Sequence, residues 1–267
     1  MEVLTILGTG SAMVTKCYNT CFTLSNDDEH FLIDAGGGNT ILTNLEKSNI
    51  KINQIHNMFI SHNHNDHILG SIWVIRAVAQ NILNNKYTGC LNIYCHEKSI
   101  DAIKIMCSFV LQKKFLNLFD DKIIFHKIED KFETYILGRK ITFFDIKSTK
   151  ELQHGFRTEL NNGKSLTFLG DEPYRESSKI YAENVDYLFH EAFCLYSQKD
   201  IFKPYEKHHA TAKDACKNAN DLNVKNVILY HTEDKNLSMR KELYINEGKE
   251  EFSGNIYVPD DLDVIEL

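Results

Sequence analysis

Proline is scarce in this chain: three residues, at 173, 204 and 259, are spread over 267 positions. Pro/Gly/Ser-rich stretches, low-complexity tracts and internal periods are missing too, so nothing marks a linker or a repeat array. A single domain over residues 1–267 is expected. No apolar run approaches the roughly 20 residues that cross a bilayer, and no lipidation motif is present, so no membrane partner is expected. Positive charge is in deficit. With 30 Lys and Arg against 37 Asp and Glu, the formal charge is −7. A field of that sign repels polyanions, and a nucleic-acid substrate would need a local basic patch. The seven cysteines are odd in number and scattered, and no second pair follows Cys17 and Cys21. They read as small buried hydrophobes rather than as a disulfide frame or a thiolate metal site. The N-terminus reads as a strand and not as a secretion signal, which leaves a reducing cytoplasm as the expected compartment.

What is present is 43% hydrophobic residues, ample for a sizeable core. Short apolar runs and turns open the chain: Val3 to Leu7, Gly8-Thr9-Gly10-Ser11, Cys21 to Leu24, and Phe31 to Ile33 before Asp34-Ala35-Gly36-Gly37-Gly38. That is a strand meander. A helical stretch from Thr40 to Lys47, a strand at Met58 to Ile60, a His-rich loop and a helix from about Ile68 to Ile82 follow. The pattern repeats with a strand at Leu91 to Tyr94 and a helix near Ser99 to Lys113. Strands are expected again at Ile123 to Phe125, Tyr135 to Leu137, Ile141 to Ile146 and Ser165 to Leu169. Two strand–helix units close the chain, Tyr187 to Phe189 with Ala212 to Leu222, and Val227 to Tyr230 with Ser238 to Glu250. Strands in two halves, each capped by helices, predict an α+β fold: a four-layer α/β/β/α sandwich of two mixed β-sheets flanked by helices.

The chemistry concentrates in Ile60-Ser61-His62-Asn63-His64-Asn65-Asp66-His67, where four ligand-type side chains fall within six positions. In an extended stretch residues two apart point the same way, so His62 and His64 suit one metal while the turn swings Asp66 and His67 towards another. Imidazole and carboxylate donors without thiolate suit zinc, manganese or iron alike. A solvated turn, or a helix start capped by Asp66, is the plain alternative. Three histidines and an aspartate at this spacing weigh against it. A pair of metals needs about seven or eight ligands. His154, Asp171 and His231 are the further candidates, each at the end of an expected strand. Taken singly, each is more often a structural residue than a ligand, but the shared strand-end placement favours the set.

The string His62-x-His64-x-Asp66-His67, preceded by Asp34 and followed in order by His154, Asp171 and His231, resembles the metallo-β-lactamase superfamily of mostly zinc-dependent hydrolases. The resemblance covers nearly the whole chain and implies the metallo-β-lactamase fold with two divalent metal ions. It implies that one metal is held by His62, His64 and His154, the second by Asp66, His67 and His231, and that Asp171 bridges them. A metal-bridging hydroxide would be the nucleophile, with Asp66 among the catalytic groups. Asp34 would orient the His62 loop without binding metal, and a turn-initiating aspartate is its plain alternative.

Leu7-Gly8-Thr9-Gly10-Ser11-Ala12, His190-Glu191-Ala192-Phe193 and His209-Ala210-Thr211-Ala212 resemble motifs of the ribonuclease Z-like phosphodiesterase branch, whose members trim the 3′ end of precursor tRNA. By that resemblance Glu191 and His209 form a pair that protonates the leaving oxygen and the substrate is a small phosphodiester or an RNA 3′ end; a homodimer is common among such relatives, and the sequence does not itself indicate an assembly. Chemistry supports the pair independently, because expelling an alkoxide from phosphorus needs a proton donor. Lying just before a helix, His209 is expected to be exposed.

The chain also departs from that branch. Its tRNA-binding arm is commonly inserted between the residues matching His154 and Asp171, and here only seventeen positions separate them. Gly170-Asp171 runs on into Glu172-Pro173-Tyr174, and His231-Thr232-Glu233-Asp234 places two acids where they are expected to repel a polyanion. A small or recessed phosphodiester, such as a cyclic nucleotide, is therefore expected. Arg157, Lys203, Lys207 and Lys213 are the candidate phosphate contacts. Competing readings keep the scaffold and change the chemistry: a lactone, thioester or amide hydrolase, a di-iron redox protein, or a non-catalytic binding protein.

Overall fold

The structure is a computed structural model and describes residues 2–267. By its internal contacts the chain forms two compact units. One contains the N-terminal residues up to Gly8, Tyr18–Ile128 and Asp261–Leu267; the other contains Thr9–Cys17 and Glu129–Asp260.

The first unit is built on a seven-stranded sheet. Its strands are β1 (Val3–Gly8), β2 (Cys21–Asn26), β3 (Glu29–Ile33), β4 (Ile55–Phe59), β5 (Leu91–Cys95) and β6 (Ile123–Lys127), with a seventh from the chain's end running antiparallel to β1. Strands β1 to β3 form the expected antiparallel meander, and β3 to β6 are parallel. Parallel neighbours cannot be joined by hairpins, so the chain crosses over through helices: α1 (Thr40–Lys47), α2 (Asn65–Leu83), α3 (Glu97–Val110) and the short α4 (Lys113–Leu116). Leu32, Met58, Ile60 and Ile93 from the sheet region pack with Ile41, Val74, Val78, Ile103 and Cys107 into one buried cluster. At about 1.5–3 kcal/mol per fully buried aliphatic side chain, this interior is what fixes the strand ends that carry the candidate ligands. Helix α2 lies close against the turn after β3. Gly70 donates its N–H to Gly36 O at 2.8 Å, and a Cβ at Gly70 would fall 1.8 Å from Ala35 O.

The second unit repeats the plan. Strands β7 (Glu133–Ile136), β8 (Arg139–Asp145), β9 (His154–Glu159) and β10 (Ser165–Phe168) run antiparallel, while β10, β11 (Tyr187–Glu191), β12 (Asn226–Tyr230) and β13 (Asn255–Tyr257) run parallel. The helices are α5 (Lys179–Ala182), α6 (Lys199–Phe202), α7 (Ala212–Asp221) and α8 (Arg240–Gly248). Leu188, Val227 and Leu229 pack against Ala212, Ala215, Cys216, Ala219 and Tyr244. Strand β14 (Val264–Glu266) is the seventh strand of the first sheet. The expected two mixed sheets flanked by helices are therefore present.

Three boundaries differ from the sequence expectation. Helix α2 begins at Asn65, not near Ile68, because His64 O accepts the amides of both His67 and Ile68 (3.0 and 3.1 Å) and the ligand string itself winds the first turn. His154 opens a strand of its own instead of trailing β8; it pairs with Asp145 across the antiparallel ladder. The helix expected through Lys113 stops at Val110, where Leu111 turns extended (φ −104°, ψ 149°), and α4 is a separate turn. Strands β13 and β14 were not expected, being only three residues long each and short of any alternation to read.

Candidate metal and phosphodiester site

In the first unit the candidate ligand residues collect at the carboxyl ends of parallel strands, where ligands bind in open α/β sheets. Asp34 follows β3 in the left-handed region (φ 53°), a conformation aspartate tolerates. Its carboxylate accepts the Ser61 amide and the Ser61 hydroxyl at 2.8 Å each, and the His67 Nδ1–H at 2.8 Å. Ser61 Oγ in turn lies 2.9 Å from His62 Nδ1. On the other flank, Ser99 donates to Asn63 Oδ1 at 2.6 Å and sits 3.0 Å from His96 Nε2. The His loop is thus held from both sides.

The outcome is a set of ring nitrogens turned the same way. His62 Nε2 and His64 Nδ1 lie 2.9 Å apart, and His67 Nε2 lies 3.5 Å from Asp66 Oδ2. With Nδ1 of His67 given to Asp34, Nε2 is left with the lone pair, the tautomer a metal requires. Burial alone lowers the His67 imidazole, but the Asp66 and Asp34 carboxylates raise it well above the ordinary histidine value. A cation placed here takes over the role of that proton. This donor set fits a divalent ion such as zinc, manganese or iron.

In the second unit His154, Asp171, Glu191 and His231 all sit at one edge of the sheet, level with the carboxyl ends of β10, β11 and β12. All four are buried, and so is His209. Asp171 Oδ1 lies 2.8 Å from His231 Nδ1 and 3.8 Å from His209 Nδ1. One ligand atom from each of Asp171, His209 and His231 falls within 4.8 Å of the others. Gly170, at φ +76°, makes the turn that aims Asp171, and the Tyr230 hydroxyl donates to the Gly170 carbonyl. His231 itself adopts φ 58°.

Glu191 faces His209 with Oε2 3.5 Å from Nδ1, while its Oε1 accepts the amide of Ala210. The two motif strings are paired through the backbone, Phe193 N donating to Ala210 O at 2.9 Å, and the Phe193 ring stacks on the His209 ring (centroids 5.1 Å apart, 23° between planes). Thr211 caps α7, its hydroxyl accepting the Asp214 amide. His209 was expected to be exposed and is 8% exposed, because the capped helix and Phe193 close over it. His190, the first residue of the same string, points away from this chemistry. Its ring is engaged by Glu191 O and Asn218 Nδ2, and burial lowers its basicity.

The family description "Anti-Pycsar protein Apyc1" matches residues 2–253. The chain belongs to the Apyc1 family. Relatives of this Apyc1-family chain include the ribonuclease Z of Prochlorococcus marinus strain MIT 9301, 27% identical over 281 residues and covering 85% of the chain and 87% of the relative. The ribonuclease Z of Nanoarchaeum equitans is 25% identical, covering 90% and 86%. Among solved structures, the metallo-β-lactamase fold protein YhfI of Bacillus subtilis superposes with a TM-score of 0.80 at 17% identity, covering 99% of this chain and 98% of that one. Human tRNase Z, short form, gives 0.76 at 19% identity over 99% and 98%. The fold is the metallo-β-lactamase fold, and the chain is similar to ribonuclease Z and to the metal-dependent hydrolases of that fold.

Several expectations about charge in this Apyc1-family chain need correction. Glu233 and Asp234 are buried and spent on structure. Asp234 accepts the amides of Thr15 and Lys16 at 2.6 and 3.0 Å, which hold its carboxyl below the ordinary range although burial raises it. Glu233 accepts the Asn236 amide and side chain at 3.3 and 2.7 Å. Neither is presented as a repelling surface. Three of the four expected phosphate cations are also engaged: Arg157 donates to Tyr181 O at 3.1 Å, Lys203 pairs with Glu206, and Lys213 pairs with Glu250 and Glu251. Lys207 sits over the Phe193 ring. Two residues beside the candidate site carry no signal in the sequence. Lys150, whose Nζ is 3.5 Å from His209 Nε2, carries no motif. Arg240, fully buried, ties Thr9 to Thr232 beside His231.

Asp34 contributes through His67 and Ser61, so its loss is felt as misaligned ligands. Asp34→Ala is expected to weaken metal affinity by about 10–100-fold, measured by competition with a chromogenic chelator. An affinity unchanged within twofold would remove Asp34 from the account.

Proposed function

We propose that the chain is a dinuclear, metal-dependent phosphodiesterase, acting as one domain on small phosphodiesters such as cyclic nucleotides or on RNA 3′ ends. His62, His64 and His154 would hold one divalent ion, Asp66, His67 and His231 a second, with Asp171 shared between them and zinc the favoured metal. The observation that carries the reading is the Glu191–His209 pair next to the Asp171 and His231 donors. A lactone or thioester hydrolase needs no such leaving-group acid; a phosphodiesterase does. Bound metal would supply charge neutralisation for the phosphoryl oxygens and an acidified water.

The chain's own residues do the rest. Asp34 and Ser61 orient His67 and His62. Glu191 fixes the His209 ring through Nδ1, which leaves Nε2 to hold the proton given to the departing oxygen. Two facts support a small or recessed substrate: the short 154–171 connection leaves no room for an RNA-binding arm there, and the net charge of −7 attracts no polyanion. Among the described residues no two cysteines form a disulfide, as fits a reducing cytoplasm. Among the described residues no helix is long and apolar enough to cross a membrane.

Glu191→Gln and His209→Ala test the reading. Each is expected to lower turnover of bis(p-nitrophenyl) phosphate by about 10²–10⁴-fold, the usual weight of acid–base help. Unchanged phosphodiester rates together with genuine turnover of a lactone or thioester would assign the protein to the other bond class.

A further inference from the structure

The loop between β8 and β9 is tied to one buried acid outside the candidate ligand set. Glu172 is 1% exposed and follows Asp171 directly. Its Oε1 accepts the Ser148 hydroxyl at 2.7 Å and the Lys150 amide at 3.3 Å, and its Oε2 accepts the Thr149 amide at 3.2 Å. Arg175 Nη2 lies 3.3 Å from the same carboxylate. The Ser148 hydroxyl accepts the amides of Lys150 and Glu151 at 3.1 and 3.3 Å, and the loop's far end is fixed by Gln153 Oε1, which accepts the Asp171 amide at 3.3 Å. A loop strapped at both ends to the Asp171–Glu172 strand end has little freedom.

What the loop presents is Lys150. Its ammonium nitrogen is 3.5 Å from His209 Nε2, the nitrogen on the side of the ring away from Glu191. Among the described residues Lys150 has no carboxylate partner within ion-pair distance, in contrast to Lys203 and Lys213. A half-buried ammonium beside an imidazole nitrogen, with its loop anchored and its charge uncompensated, is an arrangement for an anionic oxygen that both groups contact at once.

The geometry points to Lys150 as a substrate-binding residue that grips a non-bridging oxygen of the phosphodiester beside His209, with Glu172 as the positioning residue that holds its loop. The assignment rests on the phosphodiesterase reading above and deepens it: the site takes a singly charged phosphate diester by a lysine carried on this loop and not by the cations that flank the sequence motifs. The Glu172 carboxylate accepts from the Ser148 hydroxyl and from two successive amides together.

The test uses the full, zinc-loaded chain with Lys150→Met, Lys150→Arg and Glu172→Gln. For bis(p-nitrophenyl) phosphate, Lys150→Met is expected to raise KM about tenfold or more with a smaller change in kcat, Lys150→Arg to restore most of the loss, and Glu172→Gln to raise KM several-fold. The arginine rescue and the KM-over-kcat split are readouts a merely structural role would not move. Wild-type turnover with an unchanged KM in Lys150→Met overturns the assignment and leaves the phosphodiesterase reading standing. If the wild type hydrolyses no phosphodiester, that reading fails, and binding of inorganic phosphate to the zinc-loaded proteins decides the rest. Weaker binding to Lys150→Met than to wild type supports the anion site, and equal binding overturns it.

Discussion

Asp171→Asn is expected to lower turnover of bis(p-nitrophenyl) phosphate by about 10³-fold or more, equivalent to about 4 kcal/mol of lost transition-state stabilisation. The substitution keeps the shape of the side chain and removes its charge. That charge matters because one oxygen, Oδ1, faces two imidazole nitrogens, at 2.8 Å for His231 and 3.8 Å for His209. An amide in its place ligates weakly and does not neutralise two adjacent cations. Metal content is expected to fall with activity. Folding stability of the metal-free chain is expected to hold or rise, since a buried carboxylate is costly to keep ionised when no metal compensates it. Asp171→Asn with wild-type turnover within threefold would show that Asp171 is not a shared ligand.

The second large effect concerns stability. Arg240 is fully buried, and its guanidinium donates to Thr9 Oγ1 at 3.0 Å, Thr232 Oγ1 at 2.7 Å, the Pro259 carbonyl at 2.7 Å and Asp260 Oδ1 at 2.8 Å. Asp260 is half exposed, so the ion pair itself contributes little. The weight lies in the three other bonds, made by a charged donor away from water. Arg240→Met is expected to cost about 3 kcal/mol, read as a lower urea midpoint at unchanged m-value. Arg240→Lys is expected to recover little of it, because an ammonium cannot reach two hydroxyls and a carbonyl with one fixed fork. The same bonds clamp the Thr9–Ser11 turn to Thr232, with Ser11 N to Thr232 O at 2.9 Å and Thr232 N to Thr9 O at 3.0 Å. His231 is the next residue, so metal affinity is expected to drop along with stability. A melt unchanged by Arg240→Met would show that the turn holds itself.

That clamp also shows where the sequence was legible and where it was not. The string 62–67 announces its chemistry because the ligands are neighbours in the chain and lie between an apolar strand and an apolar helix. The strand ends at Asp171 and His231 were legible for the same reason: a polar residue closing an apolar run must leave the sheet at its edge. Glu191 and His209 needed the resemblance, since nothing local ties one to the other across eighteen positions. What brings them together is backbone pairing between Phe193 and Ala210. The burial of His209 was misjudged because a position before a helix reads as exposed, while stacking on Phe193 is a tertiary fact.

Lys150, Glu172 and Arg240 were hidden for a different reason. A lysine in a Ser-Thr-Lys-Glu loop and an arginine at a helix start are ordinary surface residues by composition. Only the fold reveals that a carboxylate 22 positions away holds the first and that two threonines and a carbonyl surround the second. The acids Glu233 and Asp234 show the converse error. Charge counted along the chain suggested repulsion, yet both side chains are consumed by backbone amides.

The most direct test of the account is the metal content of the protein purified without chelators, measured by inductively coupled plasma mass spectrometry alongside its turnover of bis(p-nitrophenyl) phosphate. Close to two divalent ions per chain, loss of turnover when they are stripped, and recovery on adding zinc or manganese are expected. Full turnover in a preparation stripped of metal would contradict this expectation.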